Sequence, residues 1–86
     1  MAIKKDIFLK QLGEHIRDVR LKKNITQFDL ASNIGKDRQS VQRVESGDIN
    51  ASVYYLYELA EGLDISLEEL LAFKIAPKKK IGFIIL

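Results

Sequence analysis

The sequence predicts an all-α fold of five helices. Apolar residues recur at spacings of three and four along most of the 86-residue chain, as in helices that bury one face. Ser, Thr or Asp stands before several of these stretches and Gly or Asn after some of them, which is typical of helix ends. The single proline, Pro77, ends helix propagation and separates a final segment of different composition.

The first two helices are predicted at Lys5–Lys23 and Gln27–Asn33. One apolar stripe of the first helix consists of Phe8, Leu12, Ile16 and Val19. Asn24 suits the left-handed conformation that ends a helix. Thr26 is the predicted N-cap of the second helix, and Asp29 in its first turn complements the helix dipole.

Three further helices follow the same rules. Asp37 is the predicted N-cap of a third helix at Arg38–Ser46, which ends at the following glycine. A fourth helix is expected at Ser52–Glu61. The Ser-x-x-Glu pattern at 66–69 is a capping box, and it begins a fifth helix that is predicted to end near Phe73.

Charge is distributed unevenly along the chain, although the formal net charge is only +2. Residues 1–46 carry ten Lys/Arg and six Asp/Glu, residues 47–73 carry six acids and no base, and residues 74–86 carry four lysines and no acid. A basic region beside an acidic region favours contact with a polyanion through one face. Unrelated patterning of solvated charge is the alternative.

Several classes of protein are disfavoured by composition. The chain has no cysteine, so disulfides and Cys-type zinc sites are excluded, and no apolar run reaches the roughly 20 residues that span a bilayer. The first residues do not resemble a secretory signal, which favours a cytoplasmic protein. His15 is the only histidine, and no nucleophile or phosphate-binding loop accompanies it. We therefore expect no metal, no cofactor and no enzymatic activity.

The second and third predicted helices have the features of a helix-turn-helix. Gly35 supplies a turn position with positive φ, and Ala31 is small enough for the two helices to cross closely. Val41 and Val44 are apolar where the second helix of the motif must pack. Each position alone is weak support, but the set favours a helix-turn-helix at about 27–46.

Two quoted stretches resemble one known family. LGEHIRDVRLKKNITQFDLASNIGKDRQSVQRVESG and YLYELAEGLDISLEELL look like the Cro/repressor (Xre-like) helix-turn-helix regulators of phage and bacteria. The resemblance spans residues 9–73 and implies a five-helix domain that binds operator DNA as a dimer. Residues 1–73 are thus the predicted DNA-binding domain, and residues 74–86 a basic and apolar tail.

The residues of the predicted third helix divide between an inner and an outer face. Val41, Val44 and Glu45 lie on one side. Arg forms paired hydrogen bonds with guanine, and Gln forms them with adenine. In the family that the sequence resembles, base contacts lie at the positions of Arg38, Gln39 and Arg43. The position of Gln42 is used more variably. The predicted base-contacting residues are Arg38, Gln39, Gln42 and Arg43. An ordinary solvated helix face is the alternative.

Contacts with DNA phosphates are predicted on both sides of this helix. Gln27 begins the second helix, where free N–H groups favour an anion, and the resemblance implies a phosphate contact for it. A favourable helix-start residue without a DNA contact is the alternative. Family relatives often have basic residues in the loop after the third helix, but here that loop has Asp48 and no Lys or Arg. The other predicted phosphate contacts are Thr26, Lys36, Ser40, Ser46 and Asn50.

The resemblance also implies a buried ion pair between Arg20 and Glu45, which would connect the first helix to the third. Removing one partner of such a pair costs about 3–5 kcal/mol.

Residues 81–86 of the tail have the composition of a β-strand. An antiparallel ribbon with a second copy is one interpretation, because it pairs both strand edges. Packing against the chain's own helices and association with a membrane surface through Lys78–Lys80 are the alternatives. The predicted dimerisation residues are Ile81, Phe83, Ile84, Ile85 and Leu86.

Taken together, these features predict a sequence-specific, repressor-like regulator that binds a palindromic operator in double-stranded DNA as a homodimer. Two other functions stay open. The same fold serves as the antitoxin of a toxin–antitoxin pair, with a toxin protein as partner. A protein-interaction module that has lost DNA binding would account for Asp48 and for the lack of loop cations.

Overall fold

The computed structural model describes residues 3–75, and these residues contain five helices and no β-strand. The all-α prediction is confirmed for this part of the chain. The predicted strand and dimerisation residues of the tail lie outside the described residues. The helices are α1 (Lys5–Lys22), α2 (Gln27–Asn33), α3 (Arg38–Ser46), α4 (Val53–Gly62) and α5 (Leu67–Leu70).

Side-chain caps set the start of four of these helices. The hydroxyl of Thr26 accepts a hydrogen bond from the amide of Asp29 at 3.0 Å, and the Asp37 carboxylate accepts one from the amide of Ser40 at 2.9 Å. Ser52 caps α4 in the same way, so α4 begins at Val53, one residue later than predicted. These bonds satisfy amides that have no partner within the helix.

The ends of α1 and α3 use the left-handed backbone conformation. Asn24, just after α1, has a φ of 58°, and Gly47, just after α3, has a φ of 77°. Gly35 in the turn of the helix-turn-helix has a φ of 71°, which favours glycine because it has no Cβ.

The predicted extension of α5 to Phe73 is wrong. The helix ends at Leu70, and the amide of Phe73 donates a hydrogen bond to the carbonyl of Leu71 at 2.9 Å in a turn. The ring of Phe73 then packs against α1, with its centroid 5.9 Å from that of Phe8 and 5.4 Å from that of His15. This tertiary contact accounts for the chain leaving the helix.

One hydrophobic core unites all five helices, and the close approach of α1 to α3 shapes it. A Cβ added at Gly13 would lie 2.5 Å from the carbonyl oxygen of Val44, and it would be closer still to that of Glu45. The backbones of α1 and α3 therefore touch without an intervening side chain. The largest fully buried side chains of the core are Ile16, Leu30, Val41, Leu59, Leu63 and Leu70.

Candidate nucleic-acid interface

The two sides of α3 differ in burial as the sequence spacing predicts. Val41, Val44 and Glu45 are buried against the rest of the domain. The four proposed base-contacting side chains are all exposed: Arg38, Gln39, Gln42 and Arg43. The helix is thus held by its inner side, and its outer side presents two guanidinium groups and two amides to solvent.

Gln42 differs from its three neighbours because it interacts within the helix. Its amide nitrogen lies 3.4 Å from the hydroxyl of Ser46, and that hydroxyl donates a hydrogen bond to the carbonyl of Gln42 at 2.8 Å. A base contact by Gln42 would replace the long 3.4 Å contact at little cost, because such a bond is weak. The hydroxyl of Ser46 can still accept a hydrogen bond, but it has no free proton for a phosphate while this bond persists.

An ion pair anchors the inner side of α3 to α1. The guanidinium of Arg20 donates from Nε to one carboxylate oxygen of Glu45 at 2.6 Å, and from Nη2 to the other at 3.0 Å. Both side chains are buried. The remaining nitrogen, Nη1, donates to the carbonyl oxygen of Ile25 at 2.8 Å, directly before the N-cap of α2. One guanidinium thus connects three helices.

Gln27 belongs to the same network. Its amide nitrogen donates a hydrogen bond to Oε1 of Glu45 at 2.9 Å, and the side chain is only half-buried. The sequence did not indicate this contact, since the two residues are 18 positions apart. Its neighbour Thr26 is exposed, with its hydroxyl already acting as the cap of α2.

Two of the predicted phosphate contacts face α4. The Nζ atom of Lys36 lies 3.4 Å from the carboxylate of Glu58 and 5.4 Å from the ring centroid of Tyr55. The hydroxyl of Ser40 shares a 2.6 Å hydrogen bond with the hydroxyl of Tyr55. Neither side chain belongs to the outer surface formed by Arg38 and its neighbours. The last predicted contact, Asn50, is exposed in the loop between α3 and α4.

An open depression of about 880 Å³ lies beside α3 and joins α1, α2 and α3. Gln27, Arg38 and Gln42 line it, so the structure brings a predicted phosphate contact together with two predicted base contacts. Lys10 and Arg17 of α1 line it too, and sequence reasoning missed both. Their spacing of seven places them on one helix face, opposite to the apolar stripe, and that was the available signal.

Phe28 also lines this depression, with 66% of its surface exposed. A single exposed apolar side chain is ordinary in a folded protein, so the exposure of Phe28 does not by itself indicate a function.

The outer side of α4 has a different chemistry. Tyr54 is 68% exposed, and its ring centroid lies 6.0 Å from that of Tyr57. The phenol of Tyr57 donates a hydrogen bond to the carboxylate of Glu61 at 2.9 Å. This bond and the negative charge of Glu61 raise the pKa of Tyr57, because both favour the protonated phenol. The surface is aromatic and acidic, whereas that of α3 is basic.

Within residues 3–75 no group of three or more His, Asp or Glu side chains is arranged to hold a metal ion. The helices of the same region include none that is long and apolar enough to cross a membrane.

The fold and the exposed basic side of α3 define a DNA-binding helix-turn-helix protein. Residues 16–70 match the helix-turn-helix family HTH_3, which is more than half of the chain. The chain therefore belongs to that family, and the resemblance to Cro/repressor (Xre-like) regulators is confirmed.

Related proteins agree with this assignment. An uncharacterised HTH-type transcriptional regulator, y4dJ of Sinorhizobium fredii, is 34% identical over 61 residues, which cover 71% of this chain and 79% of that protein. The restriction-modification controller protein C.AhdI of Aeromonas hydrophila has a similar structure, with a TM-score of 0.72, 38% identity, and coverage of 74% of this chain and 97% of that one. These relatives are named as regulators, a non-enzymatic class, and they give no support to a toxin partner.

A third relative was solved with DNA. The restriction-modification controller protein C.Esp1396I, as a tetramer in complex with its natural 35-base-pair operator, superposes with a TM-score of 0.65 and 28% identity, covering 73% of this chain and 93% of that one.

Proposed function

We propose that the protein is a transcription regulator that binds a specific double-stranded DNA sequence by inserting α3 into the major groove. The observation that carries this proposal is the division of α3, whose buried side anchors the helix while Arg38, Gln39 and Arg43 stand exposed together. Arginine and glutamine are the side chains that form paired hydrogen bonds with guanine and adenine. Gln42 completes the base-contacting set once its contact with Ser46 is released.

Phosphate contacts on either side would fix the position of α3 on the duplex. Gln27 is the main candidate, because it is half-buried at the edge of the depression that also includes Arg38. Lys10 and Arg17 supply positive charge along the α1 side of the same depression. Thr26 and Asn50 remain proposed lesser contacts. Lys36 and Ser40 would first exchange their contacts with α4, and Ser46 its bond to the carbonyl of Gln42.

We infer that the active form is a homodimer bound to a palindromic operator. The support comes from C.Esp1396I, whose complex with its natural operator is a tetramer. For a two-fold symmetric dimer the half-sites would lie about 34 Å apart, or a multiple of that distance.

Selection of binding sites from random duplex DNA at two salt concentrations tests this function. The proposal predicts an enriched palindrome whose affinity falls steeply with salt, because bound phosphates release counterions. Salt-sensitive binding without an enriched sequence would contradict base-specific recognition. Absence of binding at both salt concentrations would favour the protein-interaction module.

A narrower role as a restriction-modification controller is the second candidate, favoured by 38% identity across 97% of C.AhdI. In that case the selected sequence should occur upstream of genes for a nuclease and a methyltransferase. A reporter carrying that upstream region should change its expression when this protein is supplied. An operator found only beside unrelated genes would contradict this role and leave DNA binding intact.

A further inference from the structure

The carboxylate of Glu45 lies where α1, α2 and α3 meet, and it accepts three hydrogen bonds. Two come from the guanidinium of Arg20, at 2.6 and 3.0 Å, and the third comes from the side-chain amide of Gln27 at 2.9 Å. Arg20 and Glu45 are buried, whereas Gln27 is half-buried and borders the depression beside α3. The ion pair is thus linked directly to a side chain at the edge of the proposed DNA interface.

We propose that Glu45 is a positioning residue for DNA binding, because it holds the amide of Gln27 in the orientation that contacts a phosphate. A glutamine amide nitrogen carries two hydrogens. One is donated to Glu45, so the second remains for an oxygen of the DNA backbone. The inference rests on the proposed function, since it assigns a cause to the phosphate contact of Gln27.

The negative charge of Glu45 strengthens the hydrogen bond that holds the Gln27 amide in this orientation. A hydrogen bond to a carboxylate is stronger than one to a neutral oxygen, and here water has little access to the acceptor. An unrestrained glutamine must give up rotamer freedom when it binds a phosphate, whereas a side chain that is already fixed gives up less. The pair with Arg20 supplies the counter-charge for this buried carboxylate.

Arg20 fixes the backbone in the same place. Its Nη1 donates to the carbonyl of Ile25 at 2.8 Å, two residues before Gln27. The backbone that leads into Gln27 and the amide at the tip of its side chain are therefore both held by one ion pair.

The test uses the duplex obtained from binding-site selection, with one backbone phosphate at a time replaced by a neutral methylphosphonate. Wild-type protein should lose about tenfold in affinity when the phosphate that contacts Gln27 is neutralised, as for a hydrogen bond to a charged group. The Gln27→Ala variant should be insensitive to neutralisation at that phosphate, which identifies the position. Asn33→Ala, which removes an exposed amide side chain of α2 that does not line the depression, is the matched control and should keep the sensitivity.

The deciding variant replaces the ion pair by apolar side chains, Arg20→Met with Glu45→Leu. Such replacements often preserve folding, which circular dichroism and a cooperative urea transition would verify. We expect this variant to lose the sensitivity at the Gln27 phosphate and to keep it at other contacted phosphates. The Glu45→Gln variant retains an acceptor oxygen, so it should keep part of the sensitivity.

Three outcomes would overturn the inference while the proposed function stands. The double variant could keep the wild-type sensitivity at that phosphate, or its sensitivity could fall equally at every contacted phosphate, as for a purely structural pair. Binding of the wild-type protein without any phosphate dependent on Gln27 would also overturn it. If the wild-type protein bound no duplex, the proposed function itself would fail, and the inference with it.

Discussion

The outer sides of α3 and α4 differ in chemistry although both helices are held by buried inner sides. On α3 the exposed residues include Arg38 and Arg43, and on α4 they include Tyr54, Tyr57 and Glu61. The same packing arrangement thus presents a basic, hydrogen-bonding surface in one place and an acidic, aromatic surface in another. A polyanion would be attracted by the surface of α3 and repelled by that of α4. Buried residues thus fix the positions of the helices, and exposed residues determine which side of the domain a polyanion would approach.

The boundary between these two surfaces is a set of contacts rather than a gap. Lys36 lies near both Glu58 and the ring of Tyr55, and Ser40 is hydrogen-bonded to the same tyrosine. Lys36, just before α3, and Ser40, within it, are therefore already engaged with α4. Sequence proximity to the proposed base-contacting helix overstates how many side chains are available for DNA.

The largest effect is expected from removing the anchor of α3. Glu45→Ala leaves the guanidinium of Arg20 buried without its counter-charge, which should lower the free energy of unfolding by about 3–5 kcal/mol. Asp48→Ala, at an exposed position just after the helix, should change it by no more than about 0.5 kcal/mol. Urea unfolding followed by circular dichroism measures both. Equal midpoints for the two variants would contradict a stabilising role for the pair.

Base recognition should be lost from α3 and not from α4. Arg38→Ala should reduce discrimination between the selected operator and a variant with one changed base pair by about 1–3 kcal/mol, because it removes a paired hydrogen bond. Tyr54→Ser is the control on the other surface, since that ring is also exposed. Competition binding with the two duplexes gives the discrimination. A larger loss of discrimination for Tyr54→Ser than for Arg38→Ala would contradict base recognition by α3.

The cations on α1 should contribute affinity without sequence preference. Arg17→Ala should weaken binding to every duplex by a similar factor, and it should reduce the slope of log affinity against log salt by about 0.9. Lys22→Ala, which removes an exposed cation of α1 that does not line the depression, is the matched control. Fluorescence anisotropy across a salt series provides the slopes. An unchanged slope for Arg17→Ala would exclude a phosphate contact.

The smallest effect concerns the acidic surface at alkaline pH. The pKa of Tyr57 is raised by Glu61, so the folded state favours the protonated phenol. The resulting stabilisation is present below the ordinary tyrosine pKa of about 10 and is lost as the pH rises through the higher folded value. An ultraviolet titration of the Tyr57→Phe variant should no longer show the tyrosine that ionises above the ordinary tyrosine pKa in the wild-type protein. Glu61→Gln should shift that ionisation to lower pH, and no shift would contradict the assigned cause.

Local signals predicted most of the helix boundaries. The bounds of α2 and α3 agree with the prediction because Thr26 and Asp37 cap their own helices, and such bonds span only three residues. The end of α5 was predicted wrongly because it depends on the packing of Phe73 against α1, which no local pattern encodes. The starts of α2 and α3 are thus fixed by short-range chemistry, whereas the end of α5 is associated with a tertiary contact.

The sequence predicted only those features of the candidate site that depend on periodicity along a single helix. The outward position of Arg38 and its neighbours follows from spacing along one helix. The bond from Gln27 to Glu45 and the approach of Arg17 to the same depression join residues from different helices. Their discovery required the three-dimensional arrangement of α1, α2 and α3.

The division of α3 by face has an evolutionary consequence. The outward side chains do not support the core, so under the proposed function substitutions there would change the preferred DNA sequence at almost no cost in stability. Duplicated copies of such a gene can therefore acquire different operators by exchanging Arg38, Gln39 or Arg43 while Val41 and Val44 stay the same. New regulatory circuits then arise without a new fold.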